Sequence, residues 1–110
     1  MQVQQVLLNL ITNASDAMEA VAPTDRRIRI ITSQHHGRVR VAVSDRGCGL
    51  PPGDTEVVFR PFFSTKEQGL GLGLAICRSI VHAHHGRLRA ESNDGLGATF
   101  ILEFPASSSL

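Results

Sequence analysis

Two asparagines one helical turn apart are the first residues in this sequence that could bind a ligand. Asn9 and Asn13 lie within residues 2–21, where apolar side chains recur every three or four positions and predict an amphipathic helix. Asparagine is a poor helix former, and its amide oxygen is a hard ligand of the kind that Mg²⁺ takes together with water and phosphate oxygens. The pair therefore predicts a magnesium site, and exposed amides with local hydrogen bonds are the alternative.

A carboxylate that follows a predicted strand is the second candidate. Residues 38–43 carry apolar side chains at their odd positions, so the same alternation turns Asp45 inward. A buried carboxylate needs a hydrogen-bond donor, and the amino group of adenine is one. Gly47 and Gly49 would allow a flat ring to approach the backbone closely. A tight turn, in which Asp and Gly are common, is the alternative.

Alternating glycines before a second predicted helix are the third candidate. Gly69, Gly71 and Gly73 lead into a helix over residues 72–84, where free backbone N–H groups would bind an anion such as phosphate. Lys66 would add a positive charge. The segment is not a Walker A loop, because no Lys-Ser/Thr pair follows the glycines. It is not the dinucleotide fingerprint either, because no strand precedes it.

The elements that must position these groups are two helices and two hairpins. Residues 27–30 pair with 38–43 in the first predicted hairpin, and residues 87–92 pair with 98–104 in the second. Gly86 is expected to end the second helix in the left-handed conformation. Because hairpins make a sheet mostly antiparallel, the order predicts an α+β fold with helices on one face of the sheet.

Composition restricts the class of protein further. The chain has 110 residues, 42% of them hydrophobic and 19% charged, which suits one packed domain. A net charge of +1 gives no basic surface for nucleic acid and predicts no membrane contact by this segment. No apolar run reaches the length of a transmembrane helix. Cys48 and Cys77 are expected to be reduced thiols in the cytoplasm.

Taken together, these segments resemble the catalytic, ATP-binding domain of sensor histidine kinases, in the GHKL superfamily (HATPase_c-like). Each motif of that family has a counterpart in the family's order: the N box at residues 9–17, the first glycine box at 45–50, the F box at 59–66, the second glycine box at 69–74, and the trailing signatures at 80–86 and 95–100. The Phe-Phe-Ser-Thr-Lys run at 62–66 is closest in style to the nitrogen- and oxygen-sensing kinases. The match covers nearly the whole chain.

The resemblance implies a two-layer α/β sandwich of the Bergerat type. Its sheet would be mixed and mostly antiparallel, with helices on one face. Residues 1–105 would form the ATP-binding domain, truncated at its N-terminus and lacking the family's first strand or strands. Residues 106–110 would be a disordered tail.

The resemblance also implies an enzyme of two-component signalling. The domain would bind Mg²⁺ and ATP and donate the γ-phosphate to a histidine on a separate dimerisation domain, and a response regulator receiver domain would be an indirect partner. The isolated chain is not expected to be active alone. A non-catalytic fragment or interaction module and a GHKL-type ATPase are the alternatives. Such ATPases place a Glu where Asn9 stands, which argues against hydrolysis.

Roles for individual residues follow from the same resemblance. The implied ATP-binding set is Asn9, Asn13, Asp45, Gly47, Gly49, Leu50, Thr65, Lys66, Gly69, Gly71, Gly73 and Leu74. Asn13 would bind Mg²⁺, and Asp45 would accept a hydrogen bond from the adenine amino group. Asn9 and Lys66 are candidate catalytic residues. Residues 51–68 would form a lid over the nucleotide, with Phe59, Phe62 and Phe63 as its apolar latch.

Several positions depart from the family's pattern. Arg46 stands where the family often has Asn, and His85 stands where it often has a first glycine. Ala98 replaces a Thr or Ser, so one hydroxyl near the base is absent. None of the five histidines lies in a phosphoacceptor context before the N box, and a zinc site at His82, His84 and His85 is a weaker alternative.

Overall fold

The computed structural model describes residues 2–50, 53, 55–60 and 73–105. Its elements are, in chain order, helix α1 (Gln2–Ala17), strands β1 (Arg29–His35) and β2 (Arg38–Ser44), helix α2 (Gly73–Ala83), and strands β3 (Arg87–Ser92) and β4 (Ala98–Pro105), with short 3₁₀ turns at Pro23–Asp25 and Thr55–Phe59. The alternation of helices and hairpins confirms the predicted α+β class.

The four strands form one sheet in the order β1-β2-β4-β3. All three described pairings are antiparallel. The register places Val41 opposite Leu102, and Leu102 opposite Leu88. Because side chains alternate between the two faces of a strand, one row of apolar side chains crosses the sheet. Both helices pack on the face that carries this row.

The hydrophobic core lies between the helices and the sheet. Its fully or almost fully buried members include Val6, Leu10 and Ala14 of α1, Cys77 and Val81 of α2, Val43 of β2, Leu88 of β3, and Phe100, Leu102 and Phe104 of β4. Those on α1 recur at spacings of four, which turns one stripe of the helix inward. Burial of each large side chain stabilises the fold by about 1.5–3 kcal/mol.

The elements end at different residues from those the sequence predicts. Helix α1 stops at Ala17 rather than near residue 21, because the next N–H groups bond three residues back, as Met18 N does to Ser15 O at 3.1 Å. Strand β1 runs over Arg29–His35 rather than 27–30. It ends where His36 takes a φ of 50°, in a two-residue turn that joins β1 to β2.

The end of α2 corrects the prediction for Gly86. His85, with a φ of 63°, takes the left-handed conformation, and Gly86 N bonds to Val81 O at 2.9 Å. His85 N bonds to His82 O at 3.0 Å, which completes the two hydrogen bonds of a Schellman motif. Glycine is needed at position 86 for space instead, since a Cβ there would lie 2.5 Å from Glu103 O.

The start of the expected lid is packed into the core. Phe59 is 5% exposed and meets Phe100 edge to face, with ring centres 6.1 Å apart. Arg78 of α2 lies 4.2 Å from the centre of the Phe59 ring and pairs with Glu56 at 2.7 Å. Phe59 is therefore a core residue. Phe62, Phe63 and most of the expected lid lie outside the described residues, as does the tail at 106–110.

Among the described residues, neither helix combines the length and the apolar composition of a membrane-spanning segment.

A leucine at the centre of the sheet tests this packing. Leu102 is fully buried in β4, which pairs with strands on both sides, so Leu102→Ala is expected to lower the free energy of unfolding by about 3 kcal/mol. Leu96 is 69% exposed, and Leu96→Ala is expected to change the free energy of unfolding by less than about 0.5 kcal/mol. Urea denaturation of both variants measures the difference. Equal losses would contradict the described core.

Candidate functional site

A buried carboxylate at the end of β2 is the centre of the site. Asp45 is 4% exposed, as the alternation of β2 predicts. Its Oδ1 accepts hydrogen bonds from Gly47 N at 2.8 Å and from Ala98 N at 3.3 Å, and its own N–H donates to Ala98 O at 3.0 Å. Both side-chain bonds end on Oδ1, so neither uses Oδ2. Within the described part of the chain, the carboxylate is therefore fixed through one oxygen, and the other can receive a ligand's donor.

Two glycines allow the backbone to approach this carboxylate and the end of α1. A Cβ on Gly97, which has a φ of 89°, would overlap the backbone oxygen of Asp45 and lie 2.8 Å from its Oδ1. A Cβ on Gly47 would overlap the backbone oxygen of Ala17, the last residue of α1, to which Cys48 N donates at 3.2 Å. The loop after β2 is thus packed directly against the helix that carries the two asparagines.

The first of those asparagines joins α1 to α2. Asn9 is half-buried, and its Nδ2 donates to the Sγ of Cys77 at 3.4 Å. Burial raises the pKa of the Cys77 thiol, and the hydrogen bond from Asn9 opposes that shift. Asn13 is also half-buried and follows one turn later on α1. Asp45 and the asparagines are therefore connected through the end of α1.

The remaining predicted residues fall into two groups. Leu50 and Leu74 are partly buried and pack against the core, Gly49 has a φ of 78°, and Gly73 is the exposed first residue of α2. Thr65, Lys66, Gly69 and Gly71 lie outside the described residues. The structure thus describes the carboxylate and asparagine parts of the site, whereas most of the predicted phosphate-binding set stays a prediction.

Three polar residues behind Asp45 are not indicated by any motif in the sequence. Asn93 Nδ2 donates to Asp45 O at 3.0 Å and is 3.2 Å from Ser44 Oγ, and Thr99 Oγ1 is 2.9 Å from Ser44 Oγ. Thr99 also bonds to Asn93 Oδ1. Residues 93–97 join the two strands of the second predicted hairpin, but the contact of this turn with Asp45 depends on a strand pairing that the local sequence does not contain.

The two asparagines fit a metal ion that takes few ligands from the protein. In the described part of the chain, no group of three or more His, Cys, Asp or Glu side chains could hold a metal, which leaves the zinc alternative at the end of α2 without support. Amide oxygens on one helix suit Mg²⁺, because this ion completes its octahedron with water and phosphate oxygens. The donor set at Asn9 and Asn13 therefore fits an ion that arrives with a phosphate ligand.

Comparison with known families decides the identity of the fold. The model of the histidine kinase-, DNA gyrase B- and HSP90-like ATPase family matches residues 1–108. The chain belongs to this family. It is similar to sensor protein FixL of Bradyrhizobium diazoefficiens, with 44% identity over 96% of this chain. It is also 42% identical, over 93% of its length, to the histidine-protein kinase AtoS of Escherichia coli.

Solved structures agree with this assignment. The catalytic domain of histidine kinase ThkA has a TM-score of 0.80 at 39% identity, over 96% of this chain and 66% of that one. Full-length ShkA in complex with AMPPNP has a TM-score of 0.80 at 34% identity, over 94% of this chain and 21% of that one. ThkA in complex with the response regulator TrrA has a TM-score of 0.75 at 34% identity, over 96% of this chain and 28% of that one. The fold is that of a histidine kinase catalytic domain.

The ATPase-family domain accounts for a small part of its relatives. It spans 21% of the length of FixL and 16% of the length of AtoS. The similarity therefore concerns one domain of each relative.

A glycine substitution tests whether the contact between Gly97 and Asp45 is tight. Gly97→Ala introduces both an unfavourable φ and an overlap with Asp45, so we expect unfolding free energy to fall by about 2–4 kcal/mol. Gly95 has a φ of 101° but open space around a Cβ, and Gly95→Ala is the matched control, with an expected loss of about 1 kcal/mol. Chemical denaturation measures both. Equal losses would show that only the φ matters.

Proposed function

We propose that this domain binds Mg²⁺ and ATP and provides the γ-phosphate for transfer to a histidine on a separate dimerisation domain of a sensor histidine kinase. The observation that carries the proposal is the buried Asp45 carboxylate, fixed by two backbone N–H groups through Oδ1. Membership of the ATPase family and similarity to sensor histidine kinases support the choice of ATP and of phosphoryl transfer. The domain would comprise residues 1–105.

Asp45 would recognise the base. A carboxylate oxygen accepts the hydrogen bond that the exocyclic amino group of adenine donates, whereas guanine presents a carbonyl oxygen at the same ring position. Two acceptors facing each other in a buried site leave both without a partner, which costs affinity. Gly47 and Gly49, in the loop after β2, would let the ring lie close to the backbone. The site would therefore select adenine over guanine nucleotides.

The phosphates would extend from the base toward α1 and the first turn of α2. Asn13 and Asn9 would hold a magnesium ion that neutralises charge on the phosphates. Gly73 opens α2, and a helix N-terminus attracts anions. By the family resemblance, Thr65, Lys66, Gly69 and Gly71 would complete the phosphate contacts, with Leu50 and Leu74 beside the nucleotide. The complex of ShkA with the ATP analogue AMPPNP supports nucleotide binding at a domain of this fold.

Phosphoryl transfer asks the protein mainly for positioning and charge stabilisation. The nucleophile would come from the partner histidine, so the domain needs no base to activate water. Asn9 occupies the position at which hydrolytic relatives carry a Glu, and an amide cannot take a proton from water. This favours a kinase over a GHKL-type ATPase.

The proposed partners follow from that reaction. The histidine-bearing dimerisation domain would receive the phosphate, and a response regulator receiver domain would take it in a later step. The complex of ThkA with TrrA supports the second partner. Because the reaction uses ATP, we place the domain in the cytoplasm.

The role of Asp45 gives a direct test. Asp45→Asn keeps an oxygen for the backbone donors but places an NH₂ group opposite the adenine amino group, so ATP affinity should fall about 10- to 100-fold. Asp94 is exposed on the neighbouring turn, and Asp94→Asn is the matched control with unchanged affinity. Isothermal titration with Mg-ATP measures both. Unchanged ATP affinity in Asp45→Asn, or no binding by the unmodified chain, would refute the proposed function.

A further inference from the structure

Three polar side chains form a hydrogen-bonded cluster on the face of the sheet that lies away from the helices. Ser44 and Thr99 are partners in the β2–β4 register, and Asn93 precedes the turn into β4. Val43 and Phe100, their neighbours along the strands, belong to the core. Since side chains alternate between faces, Ser44 and Thr99 project from the other side. We name Ser44, Asn93 and Thr99 the polar brace.

Asn93 connects this brace to the main chain of the site. Its Nδ2 is 3.0 Å from Asp45 O and 3.1 Å from Leu96 O, and its backbone N–H donates to Gly97 O at 3.1 Å. The first bond ties the start of the turn to the residue that carries the carboxylate, and the other two close the turn at residues 93–97 on itself. The hydroxyl of Thr99 bonds to Asn93 Oδ1 and so orients the amide with its NH₂ group toward the carbonyls.

The turn at residues 93–97 fixes the Asp45 carboxylate through Ala98, the residue that follows the turn. Ala98 N donates to Asp45 Oδ1, and Asp45 N donates to Ala98 O. The Ala98 side chain has no polar atom, so its main-chain N–H is the group that it contributes. The position of this N–H depends on a turn in which Gly95 and Gly97 both have positive φ. Such a turn has wide conformational freedom unless side chains restrain it.

We propose that Asn93, held by Thr99, is a positioning residue that sets the selectivity of the site for the 6-amino group of a purine base. It does not contact the nucleotide. It restrains the turn at residues 93–97, which places Ala98 N on Oδ1 of Asp45 and thereby leaves Oδ2 at a fixed position for the amino group. This inference rests on the proposed function and adds Asn93 to it, as the residue that orients the Asp45 carboxylate.

The test compares two nucleotides in titrations of the full chain. One is ATP, and the other is purine riboside triphosphate, which lacks the 6-amino group but is otherwise the same. In the unmodified chain, ATP should bind more tightly than the analogue. The Kd of the analogue divided by the Kd of ATP is the ratio that measures the amino-group contact. Asn93→Ala should reduce this ratio about tenfold, with little change in the Kd of the purine analogue. Asp94→Ala, in the same turn, should leave the ratio unchanged.

Substitutions of Thr99 and Asp45 sharpen the test. Thr99→Val removes the hydroxyl at nearly constant volume and should reduce the ratio of the two Kd values. Thr99→Ser retains the hydroxyl and should leave this ratio close to that of the unmodified chain. In an Asp45→Asn background, Asn93→Ala should have no further effect on the ratio, because both changes act on one contact. Without any nucleotide, Asn93→Ala should accelerate hydrogen exchange of the Ala98 amide.

Each outcome decides the proposal. If Asn93→Ala weakens both nucleotides equally, or lowers only the melting temperature, Asn93 is a structural residue and the inference is wrong while the proposed function stands. An additive loss in the Asp45→Asn background would also overturn it. If the unmodified chain binds neither nucleotide, the proposed function fails, and this inference fails with it.

Discussion

The buried carboxylate of Asp45 is the constraint on which the rest of the site depends. An ionised group that leaves water loses much hydration free energy unless hydrogen bonds replace it. Here the Gly47 and Ala98 amides supply two such bonds to one oxygen. These amides come from different segments of the chain, so the loop after β2 and the turn before β4 must both be in place. The fold therefore builds a buried acceptor by closing two loops around one residue.

The same requirement explains why small residues surround Asp45. Gly97 and Gly47 each lie where a Cβ would overlap backbone atoms, of Asp45 in one case and of Ala17 in the other. Close packing at Ala17 ties the loop to α1, and α1 reaches α2 through the hydrogen bond between Asn9 and Cys77. The carboxylate, the asparagines and the start of α2 are thereby parts of one packed unit. Nucleotide base and phosphate would be recognised by a single rigid framework.

Much of this arrangement could be read from the sequence, because it follows from local periodicity. The alternation of β2 predicts the burial of Asp45, and the helical spacing of α1 predicts the shared strip of Asn9 and Asn13. The contact of Asn93 with Asp45 could not be predicted, because it joins residues 48 positions apart in the chain. The left-handed residue at the end of α2 was misplaced, since glycine at position 86 is required by the neighbouring Glu103 backbone rather than by φ.

Backbone amide shifts during nucleotide titration report directly on whether ATP binds beside the Asp45 carboxylate. With a ¹⁵N-labelled chain and Mg-ATP, we expect the largest chemical-shift changes at the Gly47 and Ala98 amides, which hold the Asp45 carboxylate, and at the side-chain amide of Asn9. The hairpin turn at His36 and Gly37 is distant in the fold from that carboxylate and should stay unperturbed. Shifts confined to this hairpin, or no shifts at saturating Mg-ATP, would contradict nucleotide binding at Asp45.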